Sequence, residues 1–94
     1  MQETFLFRPT KSTSTLISIN SGATSVTSLN SFRESFIITN ISDIPIYINY
    51  GKTCDNVIYV CLLQPQSFLS DDFGGDITAC TNSTTGHLVL TEKF

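Results

Sequence analysis

Hydrophobic and polar residues alternate most clearly between Glu34 and Gly51, in the sequence ESFIITNISDIPIYINYG. A first β-forming run, FII, is followed by a polar connection and by a second run, IYINY. Because successive side chains of a strand point to opposite faces, Ile46, Ile48 and Tyr50 are expected to share one face. The stretch therefore predicts two antiparallel strands joined as a hairpin. A lone hairpin is marginal in water, so the other strands must supply a second layer.

Shorter β-forming segments lie on both sides of this stretch. Strands are expected at residues 16–19, 23–29, 57–63, 67–69, 76–80 and 87–91, separated by turn-forming residues. The run at 57–63, VIYVCLL, is apolar throughout, which favours a strand buried on both faces. In the last strand, alternation places Leu88 and Leu90 inward. Roughly seven or eight short strands predict an all-β fold, a small antiparallel sandwich or barrel in a single domain.

The N-terminal segment, residues 1–11, has apolar residues of its own. It carries Phe5 and Phe7 ahead of Pro9, which cannot donate a hydrogen bond within a sheet. We therefore expect either an edge strand or an arm that docks on a neighbouring chain, with Phe5 and Phe7 as the partner contacts. The segment has no basic leader followed by an apolar stretch, so no signal peptide is predicted.

Charge is sparse in this sequence. Only 14% of its 94 residues are charged, and the formal net charge is −3. Much of the surface must then be Ser, Thr and Asn, which permits close, neutral packing against other proteins. The five Lys and Arg residues are scattered, so binding to nucleic acid or to an anionic membrane surface is not expected.

The three cysteines, Cys54, Cys61 and Cys80, are an odd number without a predicted leader. That pattern argues against a disulfide framework and favours buried thiols, although a bridge between Cys61 and Cys80 is an open alternative. Together with His87 the cysteines include zinc-ligand types, but the sequence has no CxxC pair, so no zinc site is predicted.

Candidate chemistry is weak elsewhere. His87 is the one histidine, and histidine is a common general base in enzymes. No catalytic motif surrounds it. The sequence therefore predicts a protein that is not an enzyme and has no cofactor. Asp71, Asp72 and Asp76 flank a Gly-Gly pair and are a weak candidate for a Ca²⁺ loop. A solvated acidic turn explains the same residues.

Aromatic side chains offer one further possibility. Tyr47, Asn49, Tyr50 and Tyr59 would form a sugar-binding face if their rings lay side by side. Aromatic residues are also ordinary strand and core formers. A carbohydrate-binding β-sandwich module is therefore the alternative function from another class.

Between residues 36 and 92, the segments SFIITN and PIYINYG, with a polar turn between them, precede a DITAC strand and a closing HLVLTE strand. This order resembles the small β-sandwich virion proteins of tailed bacteriophages, in which segments of the types "itN.s..pvyi.yG" and "i.AitasGta.l.vtE" recur. The similarity is strongest at Asn40, at Pro45–Gly51 and at Ile77–Thr91. The resemblance carries over no catalytic residue.

This resemblance implies a non-enzymatic structural protein located in the virion and assembled in the host cytoplasm. The specific expectation is a capsid decoration (cement) protein, a homo-oligomer that binds between subunits of the major capsid protein. Within the same class, a head–tail connector or tail component is the alternative.

Overall fold

The computed structural model of the chain describes residues 11–82 and 84–94. Its strands are β1 (Ser12–Ile19), β2 (Thr24–Thr27), β3 (Ser35–Asn40), β4 (Ile46–Tyr50), β5 (Cys61–Leu63), β6 (Phe68–Asp71), β7 (Ile77–Cys80) and β8 (Gly86–Lys93). The predicted partner contacts Phe5 and Phe7 lie outside the described residues. In the described part of the chain, no helix is long and apolar enough to cross a membrane.

The strands form two four-stranded sheets. Sheet A has the order β1–β8–β3–β6, and sheet B has the order β2–β7–β4–β5. The pairings are antiparallel, and the chain passes from one sheet to the other at most of its connections. The two sheets pack face to face as a jelly roll. The predicted all-β sandwich is therefore confirmed.

The hydrophobic core lies between the sheets and is built from alternate positions of their strands. Its buried members are Ile19, Val26, Phe36, Ile38, Ile46, Ile48, Leu63, Ile77, Ala79, Leu88 and Leu90. The inward positions of β4 and β8 are those that alternation predicts. Full burial of one large apolar side chain stabilises the fold by about 1.5–3 kcal/mol, so this cluster is the main favourable contribution to folding.

The predicted hairpin at residues 34–51 is wrong. β3 pairs with β8 and β6 in sheet A, whereas β4 pairs with β7 and β5 in sheet B. Each strand has one apolar face, and placing the two strands in opposite layers buries both faces together. Asn40 fixes the crossing. Its Nδ2 donates to the carbonyl oxygens of Ile44 and Leu63, at 2.8 and 2.9 Å, and its Oδ1 accepts the Ser42 N–H at 2.9 Å.

The predicted strand at 57–63, buried on both faces, is also wrong. Only Cys61–Leu63 join sheet B, and the four residues before them are exposed. Asp55 turns the chain away from the sheet, because its Oδ1 accepts hydrogen bonds from the backbone N–H groups of Val57 and Ile58, at 2.8 and 2.6 Å. A side chain that satisfies these donors removes them from the ladder of the sheet.

Candidate functional site, an apolar loop on sheet B

The strand that is buried on both faces is β7. Its residues Ile77 and Ala79 face the core, while Thr78 and Cys80 point to the outer side of sheet B and are buried as well. Their burial comes from residues 52–60, here called the covering loop, which lie across the outer face of the sheet.

Side chains of sheet B donate hydrogen bonds to the backbone carbonyl groups at the start of the covering loop. The Thr78 hydroxyl donates to the carbonyl oxygens of Gly51 and Thr53, at 3.1 and 3.3 Å. The Asn49 side-chain amide donates to the Thr53 carbonyl at 2.6 Å. At the bend between β4 and the loop, Gly51 has a φ of 125°, a conformation that favours glycine. These contacts fix the direction in which the loop leaves the sheet.

Two cysteines meet beneath the covering loop. The Cys54 Sγ lies 3.4 Å from the Cys80 Sγ, and both residues are buried. The Cys54 thiol also donates to the Tyr47 carbonyl oxygen, at 3.4 Å. Burial, followed by the contact with Cys80, raises the pKa of Cys54 to about 12. The Cys54 thiol is therefore protonated at neutral pH, and the two buried cysteines pack as small apolar groups.

The suggested bridge between Cys61 and Cys80 does not fit this arrangement. Cys61 pairs with the inward-facing residue Ile48, and Cys80 pairs with its outward-facing neighbour Tyr47. The two cysteines therefore occupy opposite faces of sheet B, since paired residues of neighbouring strands share a face. Cys61 packs against the core, and all three cysteines are free thiols.

The second half of the covering loop presents four consecutive large apolar residues to solvent. The exposed fractions of Val57, Ile58, Tyr59 and Val60 are 81%, 51%, 41% and 53%. The backbone beneath them is ordered by Asp55, which exchanges hydrogen bonds with Ile58. Donation by the backbone N–H groups of Ile58 and Val57 lowers the pKa of Asp55, so its carboxylate stays charged and keeps this turn.

In the described part of the chain, the other exposed large apolar side chains are not consecutive in the sequence. Leu16 lies on β1, Phe68 begins β6, Ile41 follows β3, and Leu29 and Phe32 occupy the connection between β2 and β3. Single apolar residues of this kind are normal on a protein surface, whereas a contiguous group indicates a contact site. The covering loop is accordingly the candidate functional site.

Arg33 is a buried cation that no sequence motif indicated. Its side chain is fully buried, and its Nη1 lies 2.9 Å from Glu92 Oε2. Nη1 also donates to the Thr27 hydroxyl at 3.3 Å, and Nη2 donates to the carbonyl oxygens of Phe73 and Gly75, at 3.1 and 2.8 Å. This network joins the β2–β3 connection, the β6–β7 connection and strand β8. Arg33 and Glu92 are far apart in the sequence, which is why the pattern could not reveal their contact.

Two of the three aspartates of the candidate Ca²⁺ loop, Asp71 and Asp76, bond to different parts of the chain. Asp71 accepts the Tyr50 hydroxyl at 2.5 Å, whereas Asp76 accepts the Leu29 N–H at 2.8 Å, and Asp72 is exposed. The Tyr50 hydrogen bond lowers the pKa of Asp71, while burial and the same bond raise that of Tyr50. Between residues 11 and 94, with Ser83 left aside, no three Asp, Glu, His or Cys residues are grouped to hold a metal ion.

His87 is exposed on β8 in sheet A, opposite Ser18. The buried cysteine pair lies on the outer face of the other sheet, so the structure does not bring the histidine to those thiols.

The four residues of the proposed sugar-binding face are divided between two sides of β4. The rings of Tyr47 and Tyr59 are in edge contact on the outer side, with centroids 4.8 Å apart. Tyr50 lies on the inner side, where it stacks on Phe73 at 4.2 Å, and Asn49 is bonded to the covering loop. The described residues therefore do not form one continuous aromatic platform.

Comparison with known proteins adds evidence on the fold. No family model and no curated protein matches the sequence. Among solved structures, an ethanolamine utilization protein of Salmonella typhimurium is similar, with a TM-score of 0.60 and 7% identity over 87% of this chain. The chain spans 57% of the length of that structure.

A second similar structure comes from Bacillus endospore appendages, described as a novel family of disulfide-linked pili. Its TM-score is 0.52, with 13% identity over 89% of this chain and 84% of the other. At these identities both likenesses show a shared fold.

Proposed function

We propose that this chain is a non-enzymatic structural protein of a bacteriophage particle, most specifically a capsid decoration protein that binds between major-capsid subunits. The observation that carries the proposal is the covering loop, which presents four consecutive large apolar residues on an anchored backbone. Contiguous apolar surface of this kind is typical of sites that are buried against another protein.

The residues that carry the resemblance to virion proteins have structural positions in the fold. Asn40 fixes the crossing from sheet A to sheet B, and residues 45–51 include β4 and the bend into the covering loop. Residues 77–91 supply β7 and most of β8. The shared pattern is thus a pattern of architecture, which supports a common type of building block rather than a common active site.

Two further observations support a role in assembly. The sparse charge of the sequence permits neutral packing against neighbouring subunits. The jelly roll is an architecture that viral capsid domains use, and one of the similar solved structures is described as a pilus-forming family. Lectin domains also use the jelly roll, so the fold alone does not separate the two functions. The division of the tyrosine rings between the two sides of β4 is what favours a structural subunit over a carbohydrate-binding module.

The proposed mechanism is the burial of the covering loop at a junction between capsid subunits. Burying side chains that are already partly covered contributes on the order of 1 kcal/mol each, which makes a single contact weak. A closed shell offers many equivalent junctions, and an oligomer of this chain would engage several of them at once. Linked contacts of this kind bind far more tightly than separate ones.

The test is a measurement on DNA-filled particles purified by density gradient from the source culture. Peptides of this chain are quantified by mass spectrometry against the major capsid protein. A copy number comparable to that of the major capsid protein supports decoration. A copy number set by a single ring supports the connector or tail alternative, and absence from the particle band contradicts the proposal.

A further inference from the structure

Cys54 and Cys80 are the two thiols that the fold places against each other. Their sulfur atoms are 3.4 Å apart, and a disulfide shortens that distance to about 2.05 Å. Cys80 is the last residue of β7, an inner strand of sheet B, whereas Cys54 lies on the covering loop. A small movement of the loop toward the sheet would therefore bring the pair to bonding distance.

We propose that Cys54 and Cys80 form an intramolecular disulfide when the protein meets a low-molecular-weight disulfide such as oxidised glutathione, and that this bond fastens the covering loop to β7. The inference goes beyond the proposed function, because it concerns a modification within one chain. It requires no partner, so its failure would leave the particle measurement unaffected.

The reaction is two successive thiol–disulfide exchanges. One cysteine thiolate attacks a sulfur of oxidised glutathione, the S–S bond of the reagent breaks, and the first glutathione leaves as a thiolate. The second cysteine thiolate attacks the resulting mixed disulfide and displaces the second glutathione. The two cysteines lose two electrons and two protons in total, and the electrons reduce one glutathione disulfide to two thiols.

A cavity of about 170 Å³ lies beside the pair, and Cys80 contributes to its wall together with Asp55, Asn56 and Thr81. Oxidised glutathione is larger than this cavity, so the reagent reaches the sulfur atoms when the covering loop opens locally. Because both cysteines are buried and burial raises the pKa of Cys54, the exchange is slow near neutral pH. The rate should rise by about tenfold for each unit of pH, as the thiolate fraction rises.

The third cysteine supplies an internal control. Cys61 lies on the inner side of sheet B and is the thiol that should remain free. After treatment of the full chain with oxidised glutathione, we expect the intact mass to fall by two hydrogen atoms. Alkylation under denaturing conditions should then add one group, and peptide mapping should place it on Cys61.

Thermal unfolding gives a second readout. Closing the loop between residues 54 and 80 in the unfolded chain should raise the melting temperature by about 10–20 °C, and a reductant should reverse the rise. The Cys61→Ser variant should show the same mass loss and the same rise, with no free thiol after oxidation. The variants Cys54→Ser and Cys80→Ser should show neither.

Because the Cys61→Ser variant keeps the pair intact, the test does not depend on the folding of the other two variants. Three alkylatable thiols after treatment, a link through Cys61, or a covalent dimer would each overturn the proposal.

Discussion

β4 and the covering loop are neighbouring apolar stretches that meet opposite environments. Ile46 and Ile48 of β4 are fully buried, whereas Val57 and Ile58 of the loop are mostly exposed. Their hydrophobicity is similar, so it cannot account for the difference. The buried stretch alternates with polar or half-buried positions and fits one face of a sheet, while the exposed stretch follows an aspartate turn. In this chain the alternating stretch is packed in the core, and the apolar run without alternation lies at the surface.

The largest expected effect comes from truncating the core. Phe36→Ala should lower the free energy of unfolding by about 3–5 kcal/mol, because the ring is fully buried and leaves a cavity. Val57→Ala, in the covering loop, should change it by less than about 0.5 kcal/mol. Chemical denaturation of both variants measures the contrast. Equal decreases in the free energy of unfolding would mean that Val57 packs as a core residue, and the contrast between β4 and the covering loop would not hold.

Disrupting the buried ion pair of Arg33 and Glu92 should lower the free energy of unfolding by a comparable amount. Arg33→Met should cost about 3 kcal/mol in unfolding free energy, because Glu92 and the carbonyl oxygens of Phe73 and Gly75 lose their partner. Lys52→Met removes an exposed cation from the start of the covering loop and is the matched control, with little expected change. If the two variants unfold at the same denaturant concentration, the network does not stabilise the fold.

Replacing Asn40 should lower the free energy of unfolding less than replacing Arg33. Asn40→Ala leaves the carbonyl oxygens of Ile44 and Leu63 without their donor, which should cost about 2 kcal/mol. Asn56→Ala removes an exposed amide from the covering loop and should be close to neutral. A denaturation midpoint for Asn40→Ala equal to that of the wild type would show that the crossing between the sheets does not depend on this side chain.

The smallest expected effect is at Tyr50. Tyr50→Phe should cost about 1 kcal/mol at neutral pH, through loss of the hydrogen bond to Asp71. The hydrogen bond lowers the pKa of Asp71, so its contribution is present above about pH 4 and is lost as the pH falls further. The pKa of Tyr50 is higher in the folded chain than in the unfolded chain, so its contribution to stability is present below about pH 10 and is lost as the pH rises further.

Unfolding free energies of wild type and Tyr50→Phe across this pH range measure the difference. Tyr59→Phe, at an exposed tyrosine of the covering loop, serves as the control. A difference between wild type and Tyr50→Phe that does not shrink in acid would rule out the contribution of Asp71.

Alternation along the chain was sufficient to predict the fold class and many of the inward-facing residues. It identified the inner positions of β4 and β8 and the two-layer arrangement. It could not identify strand partners, because alternation shows which face is apolar and not which strand lies beside it. Asn40 shows this limit, since its side-chain hydrogen bonds turn an expected hairpin into a crossing between sheets.

The candidate site was harder to predict. A continuous apolar run fits a buried strand, a buried helix segment or an exposed contact surface equally well, and only the position of Asp55 distinguishes them here. The pairing of Cys54 with Cys80 depends on the fold of the covering loop and so has no local sequence signal. The same holds for Arg33 and Glu92, which lie at distant positions in the chain.

The most direct test of the account replaces Ile58 by aspartate. Ile58→Asp should stay folded and lose about 1 kcal/mol of unfolding free energy at most, since only half of the side chain is buried in the free chain. Its occupancy on purified particles should fall about tenfold or more, which corresponds to about 1.4 kcal/mol of binding free energy or more. Ser31→Asp, in the exposed turn between β2 and β3, adds the same charge elsewhere and should leave occupancy unchanged. Wild-type occupancy of Ile58→Asp would contradict the claim that the covering loop is the contact surface.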